Sequence, residues 1–140
     1  MPGAAERPTW ETAAPPRIHV SDPLTRSVLG YFAGNCGACH NGNGEIATLG
    51  PSLKHSDLAK NAADIAARLI DHPTHWQVPG LAEGQSRLVS SHAPDASAIL
   101  VRMRSRRPST QMPPLGSVIR DDEAVAAVSK WIGQVTRATR

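Results

Sequence analysis

The sequence predicts an all-α fold of three to four main helices joined by long loops, with room for one small hairpin. Three stretches carry that expectation. In the last quarter, Val125, Val128, Trp131, Ile132 and Val135 recur at helical spacing behind Asp121, Asp122 and Glu123. Near the start, Ser21-Asp22-Pro23 precedes Val28, Leu29 and Phe32, which share one helical face. Between them, Leu58, Ile65, Leu69 and Ile70 form an apolar stripe that Pro73 stops.

Residues 1–20 hold Pro2, Pro8, Pro15 and Pro16 without any apolar period, so they read as an extended tail, and residues 21–140 as the domain. The first helix starts at Pro23, capped by Ser21 or Asp22, and runs into a paired-cysteine motif. Residues 41–55, rich in Gly and Asn and closing in Leu49-Gly50-Pro51-Ser52-Leu53, read as loop. A second helix is expected from Ser56 or Asp57 to Asp71. Strand-like pieces at Trp76–Val78 and Arg87–Val89, split by Pro79-Gly80, suggest the hairpin. Pro94-Asp95 opens a third helix with Ile99, Leu100 and Met103, ending before Pro108. A loop containing Met112-Pro113-Pro114-Leu115-Gly116 then leads to the last helix.

A chain of 140 residues fits one domain. One Phe, one Tyr and three Trp leave the core short of aromatic filling, a gap that aliphatics or a buried non-protein group must close. No apolar run reaches the roughly 20 residues of a membrane span, so no transmembrane segment is expected. The N-terminus lacks the charged and apolar regions of a signal peptide. Charge is uneven: residues 1–99 hold seven Lys/Arg against nine Asp/Glu, residues 100–140 eight against three. No aromatic stacking platform accompanies the arginines, which speaks against a nucleic-acid partner.

Both cysteines lie in Asn35-Cys36-Gly37-Ala38-Cys39-His40-Asn41, too close together to staple distant parts of a fold. They mark a local chemical site, and C-x-x-C-H is the pattern of c-type haem attachment. Two thiols one helical turn apart can add to the two vinyl groups of one haem, while the next residue, His40, turns its imidazole to the iron. A thiol redox pair would need a βαβ context, and a closed zinc site would need two more ligands. His55, His72 and His75 form no compact second pair for such a site. One covalently attached haem c per chain is therefore the expected cofactor. Because such haems are attached outside the cytoplasm, the protein is expected to be periplasmic or otherwise exported, its export signal removed or carried by a larger protein.

An electron-transfer haem takes a sixth ligand, commonly Met or His. Met112 is the candidate, because two prolines stiffen its loop just before the last helix. Met103 is the rival sulfur, read as core packing from its stripe with Ile99 and Leu100.

With these residues in view, the chain resembles a class I cytochrome c domain over about residues 24–135. Phe32 stands four residues before Cys36, where that family keeps an aromatic. Gly50-Pro51-x-Leu53 is similar to its loop after the motif, and this implies that the Pro51 carbonyl orients His40. Val128 and Trp131-Ile132 resemble the residues that pack the last helix across the first. Val28 departs from the family's usual helix-crossing Gly. A nearer resemblance is to cytochrome domains of bacterial exported multi-domain oxidoreductases. They share Gly30-Tyr31-Phe32, Val78-Pro79-Gly80, Ser97-x-x-Leu100-x-x-Met103 and Gln111-Met112-Pro113-Pro114-Leu115-Gly116.

The expected function is electron transfer, as a carrier or relay, with no substrate transformed; Cys36 and Cys39 tether and His40 and Met112 ligate. The rival is a haem enzyme or gas sensor with an open sixth site, which would need distal hydrogen-bonding groups. Trp76 is a candidate donor to a haem propionate, or a packing residue. Arg102, Arg104, Arg106 and Arg107 are candidates for propionate pairing, for an acidic surface on a redox partner, or for a solvated face.

Overall fold

The structure, a computed structural model, describes residues 17–136. Helix α1 (Pro23–Asn35) begins where the sequence places it. The Asp22 carboxylate accepts from the Thr25 N–H at 2.7 Å and from its hydroxyl at 2.5 Å, and Pro23 fills the first turn. Val28, Leu29 and Phe32 are buried, each contributing on the order of 1.5–3 kcal/mol. Helix α2 (His55–Leu69) kinks at Asn61 (φ −137°, ψ 36°) and buries Leu58, Ala62, Ile65, Ala66 and Leu69. Helix α3 (Ala98–Arg104) follows a 3₁₀ turn at Pro94–Ala96, and helix α4 (Asp122–Gln134) is capped by Asp121, which accepts from the Ala124 N–H at 2.9 Å.

Three expectations need correction. Helix α2 stops at Leu69 rather than Asp71, because Ile70 bridges to Val89 and the Asp71 N–H donates to the Val89 carbonyl at 2.7 Å. The hairpin does not form: Arg87–Val89 runs beside residues 70–73 instead of 76–78. Val78 sends its N–H to the Ser86 hydroxyl (2.9 Å), and Leu88 donates to His72 O at 2.8 Å. Only isolated bridges result, so no strand exists among the described residues and the fold is all-α. The third helix is broken at Ser97, which is extended (φ −95°, ψ 118°) and bridges to Arg87. Its fully buried hydroxyl accepts from Ser90 N–H at 2.8 Å and donates to the Ala93 carbonyl at 2.9 Å.

Helix α1 crosses α4 and also packs on α2, while α3 rests on α4. At the first crossing the Phe32 and Trp131 rings meet edge to face, 6.2 Å apart, and the Trp131 indole donates to the Thr25 hydroxyl at 3.2 Å. One apolar core unites the four helices with Val89. It reaches back to Ile18, within the stretch expected to be an extended tail; residues 1–16 of that tail lie outside the described residues. No helix among the described residues is long and apolar enough to cross a membrane.

Candidate functional site

The end of α1 does not stop abruptly but coils through the cysteine motif. Cys36 and Gly37 donate to the Phe32 carbonyl (2.8 and 3.0 Å), and Cys39 and His40 donate to the Cys36 carbonyl (3.1 and 2.8 Å). Cys36 is half-buried, Cys39 exposed and His40 half-buried. Leu53 N–H donates to the His40 carbonyl at 2.7 Å, tying the motif to the loop that follows.

Gly37 makes that closeness possible. A Cβ there would lie 2.7 Å from the carbonyl oxygens of both Ala33 and Leu53.

These residues form one side of a cavity of about 300 Å³ with almost wholly apolar walls. That volume lies at the lower end of the range for small-molecule and cofactor sites. The six residues expected from the sequence to hold the cofactor all line it: Cys36, Cys39, His40, Pro51, Trp76 and Met112. Its apolar walls come from Phe32 on α1, Leu69 on α2, Ile99 on α3 and the loop residues Ile46 and Leu88. Met103, read as core, is indeed buried in the core, yet it lines the cavity too. Pro51 is buried in the wall. The Met112-Pro113 peptide bond is cis.

Burial pushes the Cys36 thiol up to about 11, with Cys39 adding to the effect. Such a thiol is a poor thiolate, the opposite of the lowered cysteines of redox dithiol sites. Burial, and then the charge of Arg102, hold the His40 imidazole below its ordinary range. It is therefore neutral at neutral pH, the form that ligates a metal. Among the described residues no three His, Cys, Asp or Glu side chains gather as a metal site, so the two cysteines lack the further protein ligands of closed zinc coordination.

The four arginines take different partners. Arg102 turns into the cavity wall, its guanidinium 5.3 Å from the centre of the Trp76 ring and its Nε–H donating to the Thr110 carbonyl at 3.0 Å. Arg104 pairs with Asp95. Arg106 folds back on the Met103 carbonyl and the Ser117 hydroxyl. Arg107 is exposed. Of the four, only Arg102 lines the cavity. Its adjacency to Met103 on a helix was the signal available in the sequence. Its contact with Trp76 depends on the fold.

Compared with protein-family models, with curated proteins and with solved structures, the chain matches none.

Proposed function

We propose that this chain is a monohaem c-type cytochrome domain of the class I kind, and that it carries or relays electrons for an exported oxidoreductase. One observation carries the reading: two thiols, an imidazole and the thioethers of Met103 and Met112 line a single apolar cavity. That donor set fits covalently attached haem, since the thiols suit thioether tethers and His and Met suit a low-spin iron.

Bound haem would supply a one-electron iron couple. Cys36 and Cys39 would tether it. His40, held neutral by burial and by Arg102, would ligate from the motif side, and Met112 from the 112–114 loop. The apolar walls contributed by Phe32, Leu69 and Ile99 would keep water from a bound haem and so favour the less charged, reduced iron. By the family resemblance, the Pro51 carbonyl would accept from His40 and orient it. Leu115, Val118 and Ile119 stand 84%, 90% and 84% exposed on the loop that continues from Pro114. They offer an apolar surface beside the cavity to a redox partner.

The test is the visible spectrum of the protein exported from a host with haem-attachment machinery. Sharp reduced-state bands of a c-type haem, with a sulfur-to-iron band when oxidised, are expected. A colourless protein refutes the proposal, and a high-spin spectrum favours an open-site enzyme or sensor.

A further inference from the structure

We propose that Arg102 is the positioning residue for Met112, fastening the loop that carries this sulfur to the last turn of α3. The inference rests on the haem reading above and deepens it. Between Arg104, where α3 ends, and Met112, the chain runs through a loop whose own turns fasten it mainly to itself. Thr110 and Gln111 donate to the Arg107 carbonyl at 2.9 and 2.8 Å. The Gln111 side chain reaches the carbonyls of Pro114 (3.4 Å) and Ser117 (3.1 Å).

Two bonds tie this loop back to α3 at the ligand, and both end on one residue. The Met112 N–H donates to the Arg102 carbonyl at 3.1 Å, and the Arg102 Nε–H donates to the Thr110 carbonyl at 3.0 Å. The residues on either side of Gln111 are thus held by the backbone and the side chain of Arg102. Arg106 adds one tie to α3 ahead of the ligand, at the Met103 carbonyl, and one beyond the ligand, at Ser117. The Arg102 side chain is itself packed, its guanidinium lying over the Trp76 ring 5.3 Å from the ring centre. A planar fork clamped on one face loses little further freedom when Nε donates.

The chemistry explains why such a tie matters. A thioether is a neutral, weakly held iron ligand that competitors displace, so its occupancy depends on how closely the chain confines it. Freeing residues 110–112 makes displacement easier without touching His40 or the tethering cysteines.

The experiment titrates the oxidised holo-protein with imidazole, following the loss of the sulfur-to-iron band. In the unmodified protein imidazole must displace Met112. Arg102→Ala should bind imidazole about tenfold to a hundredfold more tightly, the range for removing one charge-assisted hydrogen bond. Arg102→Lys keeps the charge and the buried stem but has no planar Nε–H, so it should bind nearly as tightly as the Ala variant; it also serves if the latter does not fold. Arg104→Ala, two residues on and paired with Asp95, should match the unmodified protein. Unchanged affinity in Arg102→Ala overturns the inference, and so does full restoration by Arg102→Lys, which would make the charge and not the tie the cause. Met112→Ala marks the ceiling. If it binds imidazole no more tightly than the unmodified protein, Met112 is not the ligand and the haem-ligation reading falls with the inference; if it binds more tightly, a failure of Arg102→Ala counts against the inference alone.

Discussion

Gly37 stands between the two cysteines with no space for a methyl group, so Gly37→Ala probes the joint that sets the site. The added Cβ would meet the carbonyl oxygens of Ala33 and Leu53, each at 2.7 Å. Both are backbone atoms, so no side chain can swing away. The nearby wall is also the one that holds His40, through the Leu53 N–H at 2.7 Å. Overpacking at such a point costs about 1–3 kcal/mol, since relief requires a backbone shift. Gly34, on the exposed side of α1, is the control, because nothing lies within 4 Å of an added Cβ. There alanine gains up to about 1 kcal/mol of helix propensity. Denaturant unfolding of the two holo-variants should therefore separate them by about 2–4 kcal/mol, with Gly34→Ala the more stable. The yield of haem-loaded protein should fall only in Gly37→Ala. Equal stabilities would refute the close approach of the motif to Leu53.

Other consequences are open to similar tests. Trp131→Ala should cost about 3–5 kcal/mol in chemical unfolding, because a fully buried indole leaves a void at the α1–α4 crossing. Trp131→Phe should cost less, losing mainly the bond to Thr25. Met112→Ala should abolish the sulfur-to-iron band and lower the reduction potential in voltammetry. Met103→Ala should keep the band and lose about 2–5 kcal/mol of packing; the reverse pattern would exchange the two sulfurs. Arg104→Glu should slow second-order electron transfer with an acidic partner at low salt in stopped flow, the difference fading as salt rises. Arg106→Glu should instead lower the unfolding midpoint, because its side chain is spent on the Met103 carbonyl and Ser117.

What was legible in the sequence was what local chemistry decides. Asp22 and Asp121 cap α1 and α4 from within their own first turns, so both starts could be read directly. The middle of the chain resisted because its pairings are not local. Arg87–Val89 has strand character, but its neighbour is residues 70–73, and Val78 satisfies its N–H on a side chain that no periodicity reveals. Ser97 reads as an ordinary helix residue until its hydroxyl is found buried between Ser90 and Ala93. The site divides the same way. Cys36, Cys39 and His40 fall within five residues of one another, and Met112, the proposed ligand, stands beside Pro113 and Pro114. Arg102 and Gly37 gain their roles from Trp76 and Leu53, which only the folded chain brings against them.

The intact mass of the protein, exported from a host that attaches c-type haem and then denatured in acid, tests the central claim most directly. Covalent attachment at Cys36 and Cys39 predicts the mass of the polypeptide plus one haem, falling back to the bare polypeptide when both cysteines are replaced by alanine. A bare polypeptide mass for the unmodified protein, with both thiols free to alkylation, would contradict it.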